Sequence, residues 1–399
     1  MAPVRPRPRT RPLPRHGQAL RGHAGDPGRG GLSMEVTGLL QQQAWRRRVL
    51  PPVEQVRPGL WSLPVPMPNN PLRYVLCYAF EAGPGLVLVD PGWPFEGGWE
   101  ALTGNLAAIG ARPHDVTGVL VTHAHLDHLG LAGQVRAESG CWVAMHPAEQ
   151  HALHGQAGSR TEAKAGGGDG RDWWAEAGIP PDSGADAPPS GSSGALEGLV
   201  GLEPDLLLEH GDSARIPDRD VRVLWTPGHT PGHLCFVAPD DGVVLTGDHL
   251  LPRITPNISS YAYDTLDPLG DYLDSLDLLP QHDAFEALPG HEYRFRGIAA
   301  RAAAVSAHHA RRLAEIQRQV VSADGATTWE IAARITWSRD WAEYSGFMLL
   351  SAVGETQSHL QYLEARGLVR REGGRPVRWF PGPDPGLSGS LPQDSRSTA

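Results

Sequence analysis

The run Thr122 to His128 reads THAHLDH and places His123, His125, Asp127 and His128 within six residues, directly behind the apolar run Gly118 to Val121. In an extended segment alternate side chains point the same way, so His123 and His125 share a face where the strand gives out. The bend that follows turns Asp127 and His128 inward. Imidazole is the usual ligand of zinc and similar borderline metals, and carboxylate adds an anionic oxygen, so this grouping is the pattern of a metal site. Histidine is 18 of 399 residues, too scarce for chance to supply three beside an aspartate at this spacing.

The pattern H-x-H-x-D-H after an apolar strand resembles the metallo-β-lactamase superfamily, and three further motifs extend the resemblance to Glu292. TPGHTPGH, Thr226 to His233, follows the strand Val221 to Trp225; LTGD ends at Asp248 after Val243 to Leu245; LPGHE places His291 after Phe285 to Leu288. Each polar group stands just past an apolar run, which can deliver all four motifs to one edge of a sheet core. The resemblance implies an α/β fold, an αββα sandwich, in which His123, His125 and His229 hold one metal ion and Asp127, His128 and His291 hold the other. Asp248 would bridge the two. Two zinc ions are the expected cofactors, iron and manganese being accepted by the same donor types. The implied chemistry is hydrolysis by a hydroxide held between the ions, with Asp127 orienting the nucleophile and then carrying its proton.

Further residues take roles from the same resemblance. Asp90, ahead of Pro91 and Gly92, matches a strand-end aspartate that supports the ligand loop from behind, and His233, four residues after His229, is expected to hydrogen-bond to that layer. The segment GDHLLPRITPNIS, Gly247 to Ser259, together with the C-terminal part, resembles the lactamase-like hydrolases that carry a winged-helix tail. That subgroup includes a mitochondrial endoribonuclease and fungal thioesterases acting on acyl carrier protein. His249 is a candidate for contact with substrate or with the outer side of a ligand, and Tyr261 and Tyr263 for offering a phenol to an oxyanion.

The elements that must position these groups follow from apolar periodicity and breakers. Leu60 to Leu63, Tyr74 to Phe80 and Leu86 to Val89, each bounded by Pro, Gly or Asn, read as strands. The loop Pro66 to Pro71, with Asn69 and Asn70, reads either as a roof over the site or as a plain turn. Trp99, Leu102, Leu106 and Ile109 predict a helix over 97–111, with a second over Leu129 to Glu138 and a strand over Trp142 to Met145. Residues 155–201, rich in Gly, Ser, Pro and Asp, read as a flexible insertion; its Trp173 and Trp174 either line an apolar pocket or pack against the core edge. Asp240-Asp241-Gly242 predicts a hairpin turn. Beyond His291, helices over Gly297 to Ser322, 326–337 and Phe347 to Arg366, then a ribbon from Val369 to Phe380, have the outline of a winged helix.

These readings divide the chain into an Arg/Pro-rich leader (1–33) expected to be disordered, a catalytic domain (34–300), a winged-helix-like domain (301–380) and a disordered tail (381–399). The leader lacks the apolar stretch of a secretory signal, and translation is expected to start at Met34, which mass spectrometry of the native N-terminus would check. Charge is distributed unevenly: +6 over 1–33, −18 over 34–300 and +2 over 301–399. A phosphate-tracking surface needs clustered cations, so the acidic catalytic segment argues against nucleic acid, although Arg370, Arg371, Arg375 and Arg378 make the wing basic. The third C-terminal helix offers a single arginine, Arg366, which favours packing or a homodimer contact over base reading.

Cys77, Cys141 and Cys235 lie far apart among apolar residues and read as reduced packing residues of a cytoplasmic protein. No apolar run is long enough to span a membrane. No serine nucleophile elbow or phosphate-cradling glycine loop competes with the metal reading. The expectation is a dinuclear metal-dependent hydrolase of an ester-type bond, a thioester or lactone, acting on a small-molecule or acyl-carrier-bound substrate. The alternative is an endoribonuclease-like nuclease of the same superfamily.

Overall fold

A computed structural model describes residues 33–154, 171–184, 202–259 and 266–383. Strict alternation of apolar residues builds two stacked sheets. In β4 (Tyr74–Ala82), Tyr74, Leu76, Tyr78 and Phe80 face the second sheet, while Val75, Cys77 and Ala79 face outward to helices. A strand buried on both faces must be apolar on both, and this one is. β10 (Leu234–Ala238) repeats the logic in the other sheet: Leu234, Phe236 and Ala238 point between the sheets, Cys235 and Val237 outward.

The first sheet has seven strands in the order β2-β3-β4-β5-β6-β7-β8, antiparallel from β2 (Glu54–Arg57) through β3 (Leu60–Pro66) and β4 to β5 (Gly85–Val89) and parallel from β5 through β6 (Val116–Leu120) and β7 (Trp142–Met145) to β8 (Leu206–Leu207). The second has six, β1-β13-β12-β11-β10-β9, in which β11 (Val243–Gly247) and β12 (Glu286–Pro289) are parallel and β9 (Arg222–Trp225) is antiparallel to β10. The short strands β1 (Glu35–Val36) and β13 (Phe295–Arg296) complete it. Asp240-Asp241-Gly242 turns β10 into β11, with Gly242 at φ 63°, as its composition predicts.

Helices cover both outer faces. α1 (Leu39–Arg47) leads in, and α2 (Glu96–Ala108), α3 (Leu126–Leu129) and α4 (Ala132–Ser139) belong to the first sheet's side, where Leu102, Leu106, Leu129 and Val135 join its outer core. The predicted helix over 129–138 is broken in two. Leu131 N–H leaves the helical ladder for the carbonyl of Gly92, and a Cβ at Gly130 would lie 2.3 Å from both Leu126 O and Pro94 Cδ. A short helix, α5 (147–154), follows β7.

Within the predicted coil 155–201, residues Arg171–Ala177 form a helix, α6. Trp173 and Trp174 pack against a core edge, that of the C-terminal helices: they join Trp329, Trp337, Trp341 and Tyr344 around Ala332, Leu349 and Val353. The aromatic surface of the C-terminal helices wins over the catalytic edge.

On the second sheet's outer side lie α7 (Pro268–Leu276), α8 (Ile298–Ala323), α9 (Thr328–Ala332) and α10 (Gly346–Ala365), followed by the ribbon β14 (Val369–Glu372) and β15 (Arg378–Pro381). α9 is much shorter than the predicted 326–337. It opens on a capping box between Thr327 and Glu330, but Thr336 N–H is taken by Glu315 of α8 at 2.7 Å and its carbonyl by Arg312, which pulls the chain out of the helix. Ile298, Val305, Leu313, Leu360 and Trp379 share one continuous core with Leu224, Cys235 and Val244 of the sheet.

Candidate metal centre

The five site-bearing strands β5, β6, β9, β11 and β12 all run toward one rim of the sandwich, from two sheets and not one. Asp90, Thr122, Thr226, Asp248 and His291 each stand one or two residues beyond a strand end. Backbone bonds stitch the sheets together there: Leu76 N–H to Gly290 O at 2.7 Å, and Leu234 N–H to Thr122 O at 2.8 Å.

The seven sequence-predicted residues converge. His123 Nε2 is 2.9 Å from His125 Nδ1, which is 3.2 Å from His229 Nε2. His128 Nε2 and His291 Nε2 are 3.4 Å apart, and Asp127 Oδ2 is 3.2 Å from His291 Nε2. Asp248 lies between the groups with its oxygens divided: Oδ1 is 3.4 Å from His128 Nε2 and 3.3 Å from His291 Nε2, whereas Oδ2 is 3.7 Å from His229 Nε2. The sets His123-His125-His229, His123-His128-Asp248 and Asp127-His128-His291 each bring their ligand atoms close enough to hold a metal ion.

Hydrogen bonds on the outer side of each ring aim the inner nitrogens. Asp90 Oδ2 accepts from Thr122 Oγ1 at 2.7 Å and from His128 Nδ1 at 2.8 Å, while Oδ1 accepts from Thr122 N–H at 2.8 Å. With its own proton given to Asp90, the Thr122 hydroxyl can only accept from His123 Nδ1, 3.0 Å away. One carboxylate thereby orients two histidines and leaves both Nε2 atoms facing inward. His229 Nδ1 donates to Asn257 O and His291 Nδ1 to Tyr74 O, each at 2.8 Å. Rings fastened this way are what metal coordination needs, and the donor set of imidazoles and carboxylates fits a borderline divalent ion. Asp90 holds φ 57°, an uncommon backbone for a residue with a Cβ, and such strain concentrates at functional sites.

Electrostatics separate the two halves. Burial, reinforced by neighbouring rings, pushes His123 well below the usual imidazole range and His125 down to about 3; burial lowers His229 too. Burial thus keeps all three rings neutral. Burial also opposes charge on His128 and His291, but Asp127 and Asp248 outweigh it: His128 is raised well above its usual value and His291 to about 10. Asp127, pushed up by burial, is brought down to about 2 by His128 and His291. This half of the site is a hollow that attracts positive charge.

Other predicted residues take supporting places. His233 Nδ1 meets Thr226 Oγ1 at 2.8 Å, and its Nε2 accepts from Asp248 N–H at 3.2 Å, steadying the residue between the two sets. His249 is fully buried, its ring 5.0 Å from Tyr272 and 5.8 Å from His233, so it presents no surface to a substrate and belongs to the packing behind Asp248. Tyr261 and Tyr263 lie outside the described residues. Glu149 gave no sequence signal, being a lone carboxylate in a helix. It is fully buried, with Oε2 accepting from Ala124 N–H and Oε1 from Gly232 N–H, both at 2.7 Å, and so clamps the two histidine loops together. Tyr74 and Asn257 act through backbone carbonyls, which no residue type announces.

Residues 70–291, which include every group just described, match the family described as the metallo-β-lactamase superfamily. A metallo-β-lactamase family protein of Thermus thermophilus superposes with a TM-score of 0.69 at 31% identity, covering 82% of this chain and all of that one. The chain is 26% identical over 164 residues to an uncharacterised protein of Aquifex aeolicus and 29% identical over 146 residues to a hydroxyacylglutathione hydrolase of Cereibacter sphaeroides, matching 41% and 37% of its own length. Those matches span 59% and 38% of the two relatives. The fold, the matched segment and the histidine and aspartate cluster agree: this chain belongs to the metallo-β-lactamase superfamily of metal-dependent hydrolases.

Proposed function

We propose that the protein is a dinuclear metal-dependent hydrolase of an ester-type bond, a thioester or lactone. The observation that carries this reading is the division of Asp248, whose Oδ1 serves His128 and His291 while Oδ2 serves His229. A carboxylate so placed suits two neighbouring ions, His123, His125 and His229 holding one and Asp127, His128 and His291 the other. When bound, such ions lower the pKa of water to about 7 and stabilise negative charge on a carbonyl oxygen and leaving group.

The chain's own residues supply the rest. Asp127, kept ionised by His128 and His291 and with its side chain 11% exposed, is the acceptor at the mouth; its carboxylate takes the proton of the attacking water and returns it to the leaving group. Asp90, Glu149 and His233 hold the ligands in place so that little reorganisation accompanies reaction. Thioester cleavage also accords with the name of the Cereibacter relative, a hydroxyacylglutathione hydrolase.

In this reading α8, α9, α10 and the ribbon β14-β15 form a winged-helix-like unit that packs against the catalytic layers and does not read nucleic acid. Thr356, Ser358, His359, Leu360 and Leu363 of α10 are buried, and Arg366 is engaged by Asp267 at 2.9 Å. Purified protein supplied with zinc, manganese or iron is to be assayed against acyl thioesters, lactones, nitrocefin and single-stranded RNA. Hydrolysis of thioesters or lactones is expected; cleavage of RNA alone, with salt-sensitive binding, would replace this reading with the nuclease one.

A further inference from the structure

The segment 34–300 carries −18, yet Arg73 and Arg253, from separate stretches, approach one indole, that of Trp45, close to His291, with Arg46 nearby. The Arg73 guanidinium carbon lies 3.8 Å from the Trp45 ring centroid, and its Nη1 donates to the Trp45 carbonyl at 2.6 Å. Arg253 approaches the same ring at 5.9 Å. Arg46, next to Trp45 in α1, is exposed and lies with Arg253 within electrostatic reach of the Tyr293 hydroxyl. Tyr74 braces the indole edge-on, with centroids 5.7 Å apart.

This cluster is joined to the centre through the backbone. Arg73 immediately precedes Tyr74, whose carbonyl fastens His291. Arg253 donates its N–H to Glu292 Oε2 at 3.1 Å and points Nε at Oε1 from 3.5 Å, Glu292 being the residue after His291. Both Arg73 (φ 66°) and Glu292 (φ 68°) hold the left-handed backbone, which is disfavoured for residues with a Cβ. Strain kept on both sides of His291 points to side chains that must be aimed.

The positive charge here is poorly balanced. Arg73 donates to a carbonyl and not to a carboxylate. Arg46 forms no ion pair among the described residues. Arg253 meets the buried Glu292 with its side chain still 52% exposed. On the His229 side, Asn257, which fastens His229, donates to Ser351 O of α10 at 3.4 Å, and one turn earlier in the same helix Phe347 is 54% exposed. An ester laid across the centre with its leaving group toward His291 would bring that group's arm to the arginine side.

We propose that Arg46, Arg73 and Arg253 form an anion-recognising rim that binds the phosphate- or carboxylate-bearing arm of the substrate's thiol leaving group. The proposal rests on the ester-hydrolase reading, and its test separates the two. The metal-loaded full chain is to be given one acyl group on three thiols: coenzyme A with phosphates, glutathione with carboxylates, and uncharged N-acetylcysteamine. Guanidinium hydrogen bonds to an anion favour the charged arms by about 10-fold or more in kcat/KM, and about 0.5 M salt should erode the advantage. The preferred charged thiol tells phosphate from carboxylate.

In the Arg46→Gln, Arg253→Gln double variant the charged-to-neutral ratio of kcat/KM should fall by about 10-fold; an unchanged ratio overturns the proposal. Calorimetric binding of desulfo-coenzyme A and of S-methylglutathione, neither of which can be hydrolysed at a thioester, gives a readout independent of turnover. Binding of one of them, weakened in the double variant, supports the rim even if neither thioester nor lactone is cleaved, an outcome that would sink the hydrolase reading alone. Binding of neither, or binding equal in variant and wild type, overturns the rim whatever the chemistry.

Discussion

Asp90 touches no inward-facing nitrogen, yet it decides where two of them point. Its carboxylate fixes the Thr122 hydroxyl and through it His123, and holds His128 directly. Asp90→Ala should therefore weaken metal affinity by about 10–100-fold, the usual cost of losing a partner behind a ligand, and excess metal in the assay should restore much of the rate. A variant with full metal content and no activity would mean that Asp90 acts on substrate instead. The residue was legible in sequence as a strand-end aspartate. Glu149 was not, because one glutamate in a helix looks the same whether it faces solvent or clamps two loops.

At the scale of elements, the loop carrying His229 depends on the helix packed beneath it. Gly228 holds φ 131°, and a Cβ there would lie 2.3 Å from Tyr272 Cβ and 2.4 Å from its Cα in α7. Helix backbone cannot yield as a flexible side chain does, so Gly228→Ala should cost about 3 kcal/mol or more and loosen the metal site. Chemical denaturation with metal titration checks both; unchanged stability would show that α7 moves freely.

α10 supplies a pH-dependent element. Burial pushes Glu355 up to about 7 despite the opposing Arg312. A carboxyl raised in the fold keeps its contribution below its unfolded value near 4.5 and loses it as pH climbs through 7. Glu355→Gln removes that loss, so the variant should gain on wild type between those two pH values, by on the order of 3 kcal/mol at pH above 7. The difference between the two stability profiles reads Glu355 alone, since His359, held to about 3 by burial, titrates in both proteins. A flat difference would place the carboxyl in solvent.

The molecule as a whole gathers negative charge where metal would sit, and binding there is linked to folding. A ligand that binds only the native state stabilises it by about 2.7 kcal/mol at 100 times its Kd. Chelation should lower Tm by several degrees, and restoring zinc, manganese or iron in turn should rank the ions by the recovered Tm. No change in Tm, together with no transition metal in the purified protein, would end the metal reading. No helix among the described residues is long and apolar enough to cross a membrane.

What the sequence by itself determined is local. Each ligand follows an apolar run, and the period-two pattern of β4 and β10 declares strands buried on both faces, because side-chain alternation is a property of the extended chain. Helix ends were less legible: α9 stops at Ala332 because Glu315 and Arg312 of α8 capture Thr336, bonds that exist only after the helices meet. Tertiary structure alone decided that ligands from two different sheets share one rim, and that His291 and His229 are aimed by the carbonyls of Tyr74 and Asn257. It also brought Arg73 and Arg253 over Trp45, and Arg46 within electrostatic reach of Tyr293. A backbone carbonyl has no residue identity to read, and a distance between segments two hundred residues apart is set by packing, not by spacing along the chain.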